Sequence, residues 1–306
     1  MSVPSTRLER FSHCPVCLSG SIRPFRERTF DIETLKAEQI KITDSEYGKI
    51  WDLSLCTDCS HVFANPAPSQ DFIQSLYHIT EDPLYEEEQQ GRGKNFKRIL
   101  IRLERFHPEK GILFDVGAAT GILLSCAREQ GWETSGIEPS FWAVKVAKEK
   151  YGLDLYAGIF ESTSLPENHF TAVTLIDFIE HVSHPFAALK KAHDILTSNG
   201  TLCLVTPDRN SFAAKISGHN WWHYRPGHLG YFNRKSLVRL LDRMGFSVLQ
   251  VKRYSWTFSA HYILSRKSGL HFLIKNAGMA SFWKRIPLKL ALRDSLEVYA
   301  KKGHSG

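Results

Sequence analysis

The sequence predicts an α/β fold, a parallel sheet with helices on both faces, preceded by a small metal-binding head. Three observations carry this reading. Strand-like and helix-like stretches alternate from Ile112 to Arg253. Two Cys-x-x-Cys pairs, Cys14-Pro-Val-Cys17 and Cys56-Thr-Asp-Cys59, stand ahead of them. Between Ile112 and Leu124 an apolar run ends in Asp115, passes through Gly117, Ala118, Ala119, Thr120 and Gly121, and resumes with helical spacing.

The bounds agree. A chain of 306 residues holds one large domain and a small one, and a hydrophobic share of 42% supports a packed core. No apolar run approaches the roughly 20 residues of a membrane span. The stretch from Met1 to Cys14 has no apolar signal core, so the chain reads as cytoplasmic, with reduced thiols. The net charge of +7 is local. Lys252 to Lys302 holds 11 Lys or Arg against 2 Asp or Glu, and the rest holds 28 against 30. A nucleic-acid binder more often spreads positive charge along a face of its main domain.

The first element is the head, 1–76. Each Cys-x-x-Cys places two thiolates on one tight turn, so Cys14, Cys17, Cys56 and Cys59 predict a closed, structural Zn2+ site. Their separation, about 38 residues, has room for a hairpin or insert. Alternation over Ile50 to Leu55 predicts a strand leading into the second pair. His13 and His61 are expected at the surface or around the thiolates. A helix follows over 70–77. Residues 77–94, acidic and then glycine-rich, read as a linker or flap. Tyr77 and Tyr85 in it are placed either to cover a ligand or to pack in their helices.

The main domain, 95–306, opens with a helix from Lys94 to Phe106. Strands are expected at Ile112 to Val116, Glu133 to Ile137, Leu153 to Ala157, Phe170 to Ile176, Thr201 to Val205 and Phe246 to Arg253. The intervening helices are 122–130, 141–151, 187–196 and 236–244. A last strand, 294–301, is expected to insert antiparallel beside the sixth. Asp115, Glu138, the turn at Gly158 to Glu161 and Asp177 all fall at C-terminal strand ends, where ligands of such sheets bind. Cys126 and Cys203 read as core. Residues 257–292 exceed a bare hairpin and mix apolar residues with Lys and Arg. They suit a lid, a helix pair packed on the core, or an interfacial helix that docks on anionic lipid.

The turn after Asp115 admits a ligand close to the backbone, because Gly and Ala present little side chain. Glu138, seventeen residues past Gly121, is placed to accept hydrogen bonds from a ribose. A dinucleotide fingerprint fails, since Gly121 comes one residue early. The stretch resembles the D-x-G-x-G-x-G motif of class I S-adenosylmethionine-dependent methyltransferases, with Ala119 at the middle glycine. Phe178-Ile-Glu-His-Val182 resembles the E-H-V-x-x-P segment of ubiquinone- and sugar-modifying members. The segment 61–77 resembles their zinc-ribbon head, Asn199 to Pro207 their fifth strand, and His228 to Phe232 their H-x-x-x-F loop.

The resemblance implies a Rossmann-like, seven-stranded methyltransferase sheet with its last strand antiparallel, and S-adenosylmethionine as cofactor. It implies cofactor contacts from Asp115, Gly117, Ala118, Ala119, Gly121, Glu138, Pro139, Phe160, Asp177 and Phe178, with Glu161 near the adenine. It places His181 at the rim near the methyl group, as base for a hydroxyl acceptor, with His228 as second candidate and His223 as third. The expected acceptor is a small molecule or glycan, a sugar or secondary metabolite. An RNA acceptor gripped by the ribbon and a non-catalytic S-adenosylmethionine-binding module are the alternatives. Against RNA, Met1 to Leu76 is poor in basic residues.

Overall fold

An apolar run covered on both faces makes an interior strand, and Ile112–Val116 is such a strand in the computed structural model of the chain. The structure describes residues 8–265, 274, 277–290 and 292–303. In chain order the head gives β1 (Leu8–Glu9), β2 (Ile22–Arg26), β3 (Leu53–Cys56), β4 (Val62–Ala64), β5 (Ala67–Pro68) and α1 (Gln70–His78). Then come α2 (Pro83–Glu87), α3 (Gln89–Leu103), β6 (Ile112–Val116), α4 (Ile122–Glu129), β7 (Glu133–Glu138), α5 (Phe141–Tyr151), β8 (Tyr156–Ala157) and β9 (Phe170–Ile176). The chain continues with α6 (Pro185–Ile195), β10 (Leu196–Pro207), α7 (Phe212–Ser217), β11 (Gly230–Tyr231), α8 (Arg234–Arg243) and β12 (Phe246–Tyr254). Last are β13 (Thr257–Ser259), α9 (Ala260–Ser265), α10 (Ala277–Arg285), β14 (Pro287–Lys289) and β15 (Ser295–Lys302).

Seven strands form one sheet in the order β12-β15-β10-β9-β6-β7-β8. β15 runs antiparallel between β12 and β10, and β10, β9, β6, β7 and β8 are parallel. The alternation of the strands sorts the core into two layers. Phe114, Val116, Val173 and Leu175 pack with Leu189 of α6 and Leu237 of α8. Leu113, Ala172 and Val205 pack with Ile99 of α3 and Leu124 of α4 on the other face. The winding direction reverses between β6 and β9, which opens a crevice at their C-terminal ends. One charge is buried in the second layer. Glu297 of β15 takes both Arg102 Nε at 2.5 Å and Nη2 at 2.7 Å, and the Tyr299 hydroxyl at 2.5 Å.

Several expectations meet a different outcome. The third strand keeps only Tyr156–Ala157, because Leu153 N bonds Ala147 O and its side chain closes the end of α5. The segment 77–94 is largely helical. Asp82 caps α2 with its side chain on Tyr85 N, and Pro83 takes the first turn, where a missing N–H costs nothing. Of the two places expected for His61, it takes the one around the thiolates: it is buried, its ring 4.5 Å from that of Phe232, and its backbone bonds Cys56 N and the Cys59 sulfur. Of the 257–292 insert, β13 and β14 pair antiparallel and α9 and α10 lie between them. Arg266, Lys267, Leu270, Phe272, Leu273 and Lys275 lie outside the described residues. Among the described residues no helix is long and apolar enough to cross a membrane.

The four head thiols converge. Cys14 Sγ lies 3.6 Å from Cys59 Sγ, and Cys17 Sγ 3.5 Å from Cys56 Sγ, all four buried. Thiolates 2.3 Å from a tetrahedral zinc stand about 3.8 Å apart, so the cluster fits a small zinc module. The head does not end at residue 76 in hydrogen-bonding terms. β11, from far along the chain, is the edge strand of the head sheet β11-β4-β3-β2. Trp51 Nε1 donates to Pro226 O at 2.8 Å, and Arg209 and Asn233 both donate to Ser60 O. The module therefore fastens the loop that precedes α8.

That fastening is measurable. Cys14→Ser should raise amide hydrogen exchange not only in β2 to β4 but also over 229–232, because β4 loses its registered position. Exchange confined to the head would show that the loop stands without it.

Candidate active site

The crevice is built on the turn between β6 and α4. Gly117 (φ 70°), Ala119 (φ 48°) and Gly121 (φ 82°) all lie in the left-handed region. Gly117 N and Ala118 N both donate to Ile137 O, which ties the turn to β7. A Cβ at Gly121 would sit 2.6 Å from Leu153 Cδ1, so that side chain would have to shift.

Glu138 ends β7 beside this turn and is buried. Its Oε2 accepts from Ala119 N at 2.8 Å and its Oε1 from Ser140 N at 2.8 Å. Each oxygen keeps a lone pair for a further donor. Burial pushes the carboxyl up to about 7, against the two backbone hydrogen bonds. Asp115 lies beneath the turn. Thr174 Oγ1 donates to its Oδ1 at 2.5 Å, and burial raises it to about 7 against that bond, with a smaller push from Glu138.

One cavity joins these elements. Gly117, Ala119, Glu138, Pro139, Phe160, Glu161, Asp177, Phe178 and His181 line it. Asp115, Ala118, Gly121, His223 and His228 do not. Asp115, expected among the cofactor contacts, thus stays off the cavity wall, while Asp177, at φ 49°, is on it with Glu138 and Glu161. Burial raises Asp177 to about 6, opposed by His223 and by Arg92 and Arg225. Phe160 stands edge-on to Phe178, ring centroids 6.3 Å apart.

His181 follows β9 in a short turn of 3-10 helix, Ile179–His181. Its Nδ1 lies 2.9 Å from the Tyr77 hydroxyl. Burial lowers it to about 3, with Arg225 adding to the shift. A neutral imidazole whose Nδ1–H donates to the phenol oxygen keeps its lone pair on Nε2, the form a proton acceptor needs. His228 sits behind it, ring centroids 4.7 Å apart and nearly perpendicular. His223 stacks on His228 and holds Asp294 at 3.2 Å.

The sequence offered Tyr77 and Tyr85 as cover and missed the rest. Tyr77, Thr80, Asp82 and Tyr85 line the cavity from 77–94, and Ile40 to Ile42 line it from the insert between the cysteine pairs. Glu86 pins α2 down. It accepts from Thr120 Oγ1 at 2.5 Å and from the Tyr151 hydroxyl at 2.6 Å. The guanidinium of Arg92 lies 3.8 Å over the Tyr85 ring. Asp82-Pro83 was a readable helix start; the lining by Ile40 to Ile42 had no local signal.

A methyltransferase-domain family profile matches residues 85–251, more than half of the chain. The chain is 29% identical over 174 residues to a ubiquinone biosynthesis O-methyltransferase of Cereibacter sphaeroides, covering 50% of this chain and 70% of that protein. It is 26% identical over 180 residues to the protein of that name from Alkalilimnicola ehrlichii, covering 49% and 72%. The crystal structure of a SAM-dependent methyltransferase from Archaeoglobus fulgidus superposes with a TM-score of 0.52 at 19% identity, covering 72% of this chain and 98% of that one. The last likeness is one of fold.

The turn itself yields a test. Gly121→Ala must hold a left-handed backbone and displace Leu153, so unfolding free energy in urea should drop by about 1–3 kcal/mol. An unchanged midpoint would mean that the turn is not held as described.

Proposed function

The chain belongs to the methyltransferase-domain family and takes its methyl group from S-adenosylmethionine, and on that premise we propose that it methylates a hydroxyl of a small molecule or glycan, a sugar or secondary metabolite. The observation that carries this reading is the single cavity shared by Glu138 and the neutral His181 imidazole. The O-methyltransferase names of the relatives support a hydroxyl as acceptor.

The residues present suit the cofactor. Glu138 has two lone pairs for ribose hydroxyls, Gly117 and Ala119 leave the backbone approachable, and Pro139, Phe160 and Phe178 offer an apolar wall for a base. Asp177, on the cavity wall, suits an ammonium group, while Asp115 is held off the wall by Thr174 of β9. When bound, S-adenosylmethionine supplies an electrophilic methyl carbon on a sulfonium. The protein's own task is to hold an acceptor oxygen in line with that carbon and to relieve it of its proton. His181 stands where that proton must leave, and Tyr77 fixes its ring. Cys14, Cys17, Cys56 and Cys59 would hold Zn2+ with all four positions filled, which suits a structural ion.

An RNA acceptor finds less support. The ribbon carbonyls at Cys17, Asp58 and Ser60 are engaged by Arg243, Lys235 and Arg209 of the same chain. A peripheral membrane contact through 257–292 is supported by exposed Met279, Phe282, Leu288 and Leu292 near Lys284, Arg285 and Lys289.

Cofactor affinity should depend on pH. Glu138 must be ionised to accept from both hydroxyls, and its carboxyl stands at about 7. Calorimetric affinity for S-adenosylmethionine should therefore be about tenfold weaker at pH 6 than at pH 8. Glu138→Gln should lose about 1.5–3 kcal/mol at pH 8 and most of the pH dependence; equal affinity in the variant would remove Glu138 from the cofactor site. His181→Ala should slow methyl transfer to hydroxyl acceptors about 10²–10⁴-fold while cofactor affinity stays within about threefold. Near-normal turnover in that variant would refute its role in proton removal.

A further inference from the structure

The cavity has a second end, and its wall belongs to the head. α1 turns one face toward it: Gln70, Ile73, Gln74 and Tyr77 follow helical spacing, and all four line the cavity. Ile40, Lys41 and Ile42, from the insert between the cysteine pairs, complete that wall. Both pieces meet at His181. The Tyr77 hydroxyl lies 2.9 Å from His181 Nδ1. A Cβ built on Gly227 would lie 3.4 Å from His181 Nδ1 and 3.5 Å from Ile40 O, so the insert and the imidazole flank one point of the backbone.

Charge distinguishes this end. Lys41 is the one Lys or Arg among the described residues that line the cavity. It is half-buried, yet its ammonium has neither an ion pair nor a hydrogen bond among the described residues. The acids nearest to it in sequence are engaged elsewhere, Asp44 with Arg225 and Glu46 with Lys49. On the wall, Asp82 is taken up by Thr43 and by Tyr85 N. The side-chain amides of Gln70 and Gln74 also bond nothing among the described residues. We propose that Lys41, with Gln70 and Gln74, forms an anion subsite for the acceptor, so that the methylated molecule carries a carboxylate or a phosphoryl group in addition to its reacting hydroxyl.

The chemistry of the wall suits such a molecule. An ammonium offers three donors to an oxyanion, and each amide adds two without a charge of its own. Ile40, Ile42 and Ile73 give an apolar surface for the body of the molecule, and apolar walls with a few placed polar groups are the usual make-up of a small-molecule site. The backbone that carries the cation is held independently of it, since Arg225 donates to the carbonyls of both Lys41 and Ile42. An anchor away from the reacting oxygen spends its binding energy on orientation, here on holding the hydroxyl against His181. The inference rests on the hydroxyl acceptor of the preceding section and narrows it to acidic molecules.

Calorimetry on the zinc-loaded full chain, saturated with S-adenosylhomocysteine at low ionic strength, tests the subsite without turnover. 3,4-Dihydroxybenzoate against catechol probes a carboxylate, and glucose 6-phosphate against glucose probes a phosphoryl group. At least one anion should bind about tenfold more tightly than its uncharged counterpart, and the pair that does so identifies the group. Lys41→Met, close in length, should bring that ratio to within about twofold, and Lys41→Arg should keep most of it. Affinity of Lys41→Met for S-adenosylhomocysteine should stay within about threefold of the wild type. No preference for either anion in the wild type, or a preference that survives Lys41→Met, overturns the subsite. So does weakened cofactor binding in Lys41→Met, which would give the lysine to the cofactor instead. Mass spectrometry after incubation with S-adenosylmethionine and the same compounds separates the two readings. A methyl group on a carboxylate or phosphate oxygen sinks the hydroxyl acceptor, whereas hydroxyl methylation with no preference for the acids sinks only the subsite.

Discussion

The site depends on two backbone donors held by one buried carboxylate. Ala119 N belongs to the turn after β6 and Ser140 N to the start of α5, and Glu138 binds both. That clasp joins the ends of adjacent strands and lets a chain of small residues stay in left-handed conformations without help from side chains. A carboxylate so placed is expensive to ionise, since its burial outweighs the two hydrogen bonds. A ligand with hydroxyl donors would relieve that cost, which would couple its recognition to proton release.

Cover over this clasp comes from parts of the chain that look unrelated to it. Glu86 of α2 reaches Thr120 in the turn, and Glu88 accepts from Ser259 at the start of the C-terminal insert. Lys284 of α10 meets Glu87 at 2.9 Å. The acidic run Glu86-Glu87-Glu88 therefore links the turn to the insert, each glutamate to a different neighbour. The head contributes in the same way, with Ile40 to Ile42 on the cavity wall and Arg225 anchored on Lys41 O and on Asp44.

How much of this was legible follows the physics of each element. Ile112–Val116 and Phe170–Ile176 were readable to the residue, because a strand covered on both faces must be apolar along its length. So was α5, bounded by Ser140 and Gly152, whose left-handed φ of 61° ends the helix. The turn after β6 was readable because the left-handed backbone at 117 and 121 favours Gly. Lys41 was visible only as a letter in the head insert, since a place on the cavity wall is a property of the fold. β11 was not visible at all. Two residues, Gly230 and Tyr231, carry no periodicity, and their pairing with β4 is decided by long-range contacts. Nor could the charge of 77–94 show that Glu86, Glu87 and Glu88 each bind a partner within the chain.

The pairing of β11 with β4 has a consequence for biosynthesis. Phe63 and Val62 receive their edge partner from Gly230 and Tyr231, roughly 170 residues and on the order of 10–30 s later on a translating ribosome. Through that interval β4 presents an unpaired strand edge beside buried apolar residues such as Trp51 and Val62, the kind of surface that recruits other chains. The thiol cluster closes over Cys56 and Cys59, immediately upstream of that edge. A metal captured early would fix β3 and the turn into β4 while the nascent chain waits, so cellular metal supply would govern the yield of folded protein more than the stability of the finished molecule.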